Sequence, residues 1–238
     1  MMADSQLDVE AIFASILRKK GFPDRASPST PEAHILKFCL YHIIASQQLV
    51  LDAVALKRIK YDKDNSVHEK LLMQVWEQLS DVPLKQRKSK QWQDIGFQGD
   101  DPSTDFRGSG LLGLHDLNYF GKKYTSIARS VLEASKDKVA WYTYAIVGIN
   151  LTALAVDLLK HRHLQYFLFR YGTSMDIYHE FYCCLFYEFN KFWHAQTPKP
   201  TIMDFEQQLQ RFRAHVEELL LTRRVVLLEE LEQDRKND

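Results

Sequence analysis

Nine glycines and seven prolines serve 238 residues, under 4% each, and six of the glycines fall between Trp92 and Lys122. Usual levels are about 7% and 5%. Sheets joined by tight hairpins need Gly, Asn or Pro at every turn, so few such turns are available here. The expectation is an all-α fold with few loops. Its irregular backbone is concentrated in one stretch holding Gly96, Gly99, Gly108, Gly110, Gly113, Gly121 and Pro102. Irregular segments held by a helical scaffold are where binding residues gather.

Periodicity places the helices. Leu7, Val9, Ile12, Phe13, Ile16 and Leu17 recur at helical spacing, with Gly21 in the position of a C-terminal cap. Three prolines make 21–31 a loop. Thr30 then reads as an N-cap with Pro31 at the first helical position, opening a helix to about Tyr61. Ser66 to Glu69 has the form of a capping box for a helix carrying Leu72, Val75, Trp76 and Leu79. A short helix ends at Gly96. Beyond the glycine-rich stretch, helices are expected over about 125–135, 138–161, 164–171 and 174–193. After the break at 197–200, Thr201 to Asp204 is a second capping box, opening an amphipathic helix to about Glu232. At about 150 residues per domain, and with no linker, the chain reads as an N-terminal helix and loop over 1–30 followed by one domain over 31–238.

Val139 to Val156 carries no charge and reaches the length of a membrane span. It also carries Tyr142, Thr143, Tyr144, Asn150 and Thr152. An amide in mid-bilayer is expensive without a partner helix, so the segment is read as the central core helix, not an integral span. Asn150-Leu-Thr152 is then a glycosylation sequon in pattern only. The first ten residues carry three acids and no base, unlike a signal peptide.

The 31 basic and 31 acidic residues cancel, which argues against bulk nucleic-acid binding, since that needs a basic excess. Cys39, Cys183 and Cys184 are too few and too badly spaced for a disulfide framework or a tetrahedral metal site, and a reducing compartment is expected. His115, His161, His163 and His179 lack metal-ligand spacing, so no metal is expected. The basic run Lys85 to Lys90 reads as a solvated helix face, with peripheral contact to an acidic membrane or partner as the alternative. Gly108-Ser-Gly110-Leu-Leu-Gly113 matches G-x-G-x-x-G, but no buried strand precedes it, so nucleotide binding is not inferred.

Arg107 stands apart. Asp105 is placed to orient its guanidinium, Phe106 to anchor it in the core, and Gly108 to remove bulk beside it so that a partner can approach. A guanidinium is a rigid planar fork that fits phosphate oxygens. On grammar alone, a structural arginine paired with a carboxylate such as Asp105 is the better reading, since such pairs are common.

The run Trp92-x-x-x-Gly96-Phe97-Gln98, then Pro102-x-Thr104-Asp105-Phe106-Arg107-Gly108-x-Gly110-x-Leu112-Gly113-Leu114-x-x-Leu117-x-Tyr119-Phe120, closely resembles the signature of the ELMO domain. The resemblance extends over roughly Pro31 to Gln196. It implies an all-helical ELMO domain over 31–238, with the C-terminal amphipathic helix included, around a central apolar helix and a glycine-rich loop. The large adaptors of the family carry armadillo repeats and a PH domain and work with DOCK exchange factors. The length here implies the short ELMOD branch instead.

Members of that branch are GTPase-activating proteins for ARF and ARF-like GTPases. The resemblance therefore implies that Arg107 is an arginine finger acting in trans. It also implies that Trp92, Gly96, Phe97, Gln98, Pro102, Thr104, Asp105, Phe106, Gly108 and Gly110 support the loop or bind the partner. No cofactor is expected, since GTP and Mg²⁺ belong to the partner GTPase. Gln98 is a second supplier of a water-positioning amide. The alternative is a non-catalytic interaction module that binds a GTPase or an exchange-factor complex. The expected location is cytoplasmic, with organelle membranes reached only peripherally. Exposure of Arg107 is the feature that separates finger from structural pair, and Trp92, Phe97, Phe106, Leu114 and Phe120 are expected to be buried.

Overall fold

Thr30 caps the second helix as the sequence predicts: its hydroxyl accepts from the Ala33 N–H at 3.3 Å, and Pro31 takes the first position. The computed structural model describes residues 9–20 and 30–237; the cap expected at Gly21, the loop before Thr30 and Leu7 lie outside the described residues. Among those described, ten helices follow in order: α1 (Val9–Lys19), α2 (Pro31–Arg58), α3 (Ser66–Leu79), α4 (Gly110–Lys123), α5 (Thr125–Ser135), α6 (Tyr144–Lys160), α7 (Gln165–Tyr171), α8 (Met175–Ala195), α9 (Phe205–Leu221) and α10 (Leu228–Asn237). Short 3-10 segments form at Lys90–Ile95, Pro102–Arg107 and Ile202–Asp204. No strand occurs among the described residues.

The expected glycine-rich loop is mostly helical, with turn and bend backbone left over 96–101. It is two 3-10 segments followed by α4, and α4 is nearly all buried, packed against α2, α3, α5, α6 and α8. The centre of the fold is therefore shared by α4 and α6. Leu112, Leu114, Leu117 and Phe120 of α4 are buried, as are Leu151, Ala155, Val156 and Leu158 of α6. Helix α8 closes the core with Tyr178, Phe181, Tyr182, Phe186, Phe189 and Trp193. Two acids enter this interior with partners: Asp116 accepts from the His179 ring at 2.7 Å, and Glu180 accepts from Tyr119, Lys123 and the Tyr124 hydroxyl. Buried carboxylates require such pairing.

Helix α6 starts six residues later than expected. The Asp137 carboxylate accepts the Val139 and Ala140 N–H groups at 2.8 Å each, holding the chain in a turn. Val139 and Trp141 are exposed in consequence. Helices α6 and α9 end alike. At the first, His163 N–H reaches Leu158 C=O and Arg162 N–H reaches Leu159 C=O, with Arg162 at φ 64°. At the second, Arg224 reaches Leu219 and Arg223 reaches Leu220, with Arg223 at φ 59°. Both are Schellman ends with arginine where glycine is usual. The second one splits the single helix expected to Glu232 into α9 and α10.

Ser66 is not the cap of α3. Asn65 is: its side-chain oxygen accepts the Val67 N–H at 2.9 Å, while Glu69 points elsewhere. Asn65→Ala should lower stability by about 1 kcal/mol, whereas Ser66→Ala should stay within about 0.5 kcal/mol; urea unfolding of the two variants tests the assignment.

The charge-free segment is mostly buried in the core. Among the described residues, α2 is the one helix long and apolar enough to cross a membrane, by length and composition only. Its outer half leaves Ile35, Phe38, Tyr41 and Ile43 exposed.

Candidate functional site

The motif is built from the core outward. Trp92 is fully buried, and its indole N–H donates to the Arg87 carbonyl at 2.9 Å. It meets Trp76 and Phe97 edge-on, and Phe97 meets Phe106 the same way. Phe106 then stacks on Tyr61 at 5.5 Å. This aromatic file nails the motif to α3 and to the end of α2. Trp92, Phe97, Phe106, Leu114 and Phe120 are all buried, as the sequence predicts, and so is Pro102.

Two glycines are demanded by geometry. Gly96 ends the first 3-10 segment at φ 85°, and a Cβ there would lie 2.3 Å from the Tyr144 nitrogen at the start of α6. Gly110 opens α4 at φ 53°, and its Cβ would lie 2.1 Å from the Lys57 carbonyl oxygen. Any side chain at either position would push the motif off α6 or off α2.

Between these two anchors lies Pro102–Arg107. Asp101 caps it, its carboxylate accepting the Ser103 N–H at 3.1 Å. Ser109 fixes the far end, its hydroxyl donating to the Ile149 carbonyl at 2.8 Å. Phe106 points in and Arg107 points out: Arg107 is exposed, and among the described residues its guanidinium forms no ion pair and donates no hydrogen bond. Asp105 does not clamp it. The Asp105 carboxylate instead accepts the Gln98 N–H at 3.0 Å, tying the two halves of the motif together, with Thr104 hydroxyl a further donor at 3.4 Å. Burial pushes the Asp105 carboxyl up, and that outweighs the lowering effect of Gln98, Thr104 and the Arg107 charge.

Arg107 stands over an open groove of about 390 Å³ between this segment and α6. Gln98, Thr104 and Gly108 line it from the motif side, Ile146, Asn150 and Ala153 from α6. The Gln98 side chain is exposed there. Gly108 has φ −86°, and a Cβ at that position would meet nothing within 4 Å, so no contact within the chain requires glycine there. The sequence reading missed the α6 side. Asn150 is the signal that was available: an amide in a charge-free helix. Its Nδ2 donates to the Ile146 carbonyl at 2.8 Å, which leaves the amide oxygen as an acceptor at the groove.

The other candidates resolve as follows. The Lys85–Lys90 run is a bend, not a helix face; Lys85, Lys88 and Lys90 are exposed while Arg87 turns inward. No group of three or more His, Cys, Asp or Glu suited to a metal occurs among the described residues. Cys183 and Cys184 are buried, which pushes both thiols up, and Cys39 is partly exposed. The arrangement can present one unpaired, anchored guanidinium to another molecule's oxyanions, with the exposed Gln98 amide and the partly buried Asn150 amide beside it.

Comparison with known proteins bears on the class. The ELMO/CED-12 family matches residues 53–209, which include all three 3-10 segments and the groove. The chain belongs to that family. It is 43% identical over 220 residues to bovine (Bos taurus) ELMO domain-containing protein 2, covering 91% of this chain and 74% of the relative. The human (Homo sapiens) protein of that name is 45% identical over 196 residues, covering 81% and 67%. Mouse (Mus musculus) ELMO domain-containing protein 1 is 39% identical over 202 residues, covering 76% of this chain and 62% of the relative. No solved structure matches the chain.

Proposed function

We propose that this chain is a GTPase-activating protein for ARF-family or ARF-like small GTPases, and that Arg107 is the finger it supplies in trans. The observation that carries the reading is the state of Arg107: exposed and unpaired, on a segment whose neighbours on both sides are locked into the core. A structural arginine would be bonded to Asp105, and Asp105 is bonded to Gln98 instead. GTP hydrolysis develops charge on the β- and γ-phosphate oxygens. A guanidinium delivered there raises the rate by about 10³–10⁵. GTP, Mg²⁺ and most nucleotide contacts belong to the GTPase, so the chain alone has no reaction to perform. Gln98, exposed at the same groove, is the second group able to reach the attacking water.

Single-turnover GTP hydrolysis on a panel of ARF-family proteins, with and without the chain, tests this reading. Stimulation of at least one member is expected. Binding to the GTP-bound form without acceleration on any member would make the chain an interaction module.

Gly108 gives a sharper check. Gly108→Ala fits the backbone and meets no atom of the chain, so stability should hold within about 0.5 kcal/mol. Stimulation should nevertheless fall, because the added methyl stands where the partner's surface comes in. A variant that melts early, or one fully active, contradicts that approach.

A further inference from the structure

Arg87 belongs to none of the motif positions and sits in a run of surface lysines, yet it is the one basic member turned into the structure. Its guanidinium grips Glu69 of α3 with two bonds, Nε to Oε2 at 2.5 Å and Nη2 to Oε1 at 3.0 Å. The remaining nitrogen, Nη1, donates to Asp101 Oδ1 at 3.2 Å. That same oxygen accepts the Ser103 N–H and so caps the segment carrying Arg107. Glu69 also accepts from the Tyr61 hydroxyl, and Tyr61 is the ring on which Phe106 stacks. The Arg87 carbonyl meanwhile holds the Trp92 indole.

A six-residue 3-10 segment has poor internal hydrogen bonding and little stiffness of its own. Its pose is set by what holds its ends. The Ser109 end is fixed by its hydroxyl on the Ile149 carbonyl of α6 and by the Leu111 N–H on the Ile59 carbonyl that caps α2. The Asp101 end is held by the Arg87 fork, the one partner there that reaches back to α3, beside the exposed Lys88 ammonium at 3.6 Å from Asp101 Oδ2 and the Ser89 N–H on the Asp100 carbonyl at 2.9 Å. Burial pushes the Glu69 and Asp101 carboxyls up, and the hydrogen bonds from Arg87, Tyr61 and Ser103 outweigh it, leaving both below the ordinary carboxylate range. Without the guanidinium between them, two part-buried carboxylates would repel each other with only the exposed Lys88 ammonium left beside Asp101, so the cap would loosen.

We infer that Arg87 is a positioning residue: by bridging Glu69 of α3 to the Asp101 cap, it sets the pose in which Pro102–Arg107 presents Arg107. The inference rests on the finger proposed above for its kinetic consequence, but not for its structural one. An ammonium is a point charge and cannot grip Glu69 twice while reaching Asp101, so lysine is not a substitute.

The test uses Arg87→Met, Arg87→Lys and Asp101→Asn, the last keeping an oxygen to cap Ser103 while removing the ion pair. Amide hydrogen exchange on the isolated chain is read over 98–109 and over α8. Faster exchange confined to 98–109 is expected in all three variants. Unchanged exchange in Arg87→Met, or equal acceleration in α8, overturns the inference. Single-turnover hydrolysis is then read with a GTPase that the parent chain stimulates. Misplacement of a reacting group by about 1 Å costs roughly 10²-fold, and a loss of that order is expected at saturating chain, with affinity for the GTP-bound partner retained. On an Arg107→Ala background the same changes should cost nothing further, since a positioning residue acts only through what it positions. An equal loss on both backgrounds overturns the inference, as does Arg87→Lys at full rate. Exchange needs no partner, so it decides the structural claim even where no GTPase responds, an outcome that overturns only the function proposed above.

Discussion

Arg107→Ala is expected to lower stimulated GTP hydrolysis by about 10³ or more while leaving the fold intact. Both halves of that expectation come from one fact: the Arg107 side chain touches nothing in its own chain that an alanine would leave unsatisfied. Asp105, two residues away, is bonded to Gln98 and not to the guanidinium, so that bond does not depend on Arg107. Affinity for the GTP-bound partner should change little, because a finger acts mainly on charge that develops in the transition state. Arg107→Lys should recover only a small part of the rate, since an ammonium cannot offer two parallel donors. Single-turnover rates at saturating chain, with melting curves on the same samples, make the check. A variant that melts many degrees lower would mark Arg107 as structural, and a stable variant at full rate would move the role to Gln98 or to the GTPase.

Phe106→Ala should have the opposite signature. The Phe106 ring is 1% exposed and joins Phe97 to Tyr61 in the aromatic file that runs back to Trp76. Removing a fully packed phenyl costs about 3–5 kcal/mol. For a chain of this size that lowers the melting midpoint by roughly 6–20 °C. Stimulation should fall as well, since Arg107 is the next residue and loses its inward anchor. Urea unfolding of parent and variant measures it, and a loss below about 1 kcal/mol would show that the segment is held by its polar ends alone. Together the two variants separate presentation from support: one loses rate and keeps stability, the other loses both.

Much of the scaffold was legible because its signals are local. The Thr30 cap with Pro31, the aromatic run of α8 and the Thr201–Asp204 capping box all act within a few residues, and each is where the sequence puts it. Helix α4 was hidden by its own glycines. Gly110, Gly113 and Gly121 read as loop by propensity, and only packing against five other helices makes that stretch helical. The break between α9 and α10 was hidden for the reverse reason, since Arg223 takes a backbone conformation that sequence assigns to glycine. At the site, the linear motif identified the residues of one wall of the groove. The other wall, Ile146 and Asn150, and the clamp at Arg87 are brought in by tertiary contact, and of these only Asn150, an amide in a charge-free helix, carries a local signal.

The most direct test of the account is complex formation with a responsive ARF-family GTPase carrying GDP, with and without fluoroaluminate, a mimic of the transferring phosphoryl group. A group that stabilises the transition state binds its analogue more tightly than the ground state. The chain should therefore bind the fluoroaluminate form at least about 10²-fold more tightly than the GDP form, and Arg107→Ala should abolish that difference while still recognising the GTP-bound protein. Equal affinity of the parent chain for the two forms, or a preference that survives in Arg107→Ala, would contradict the account.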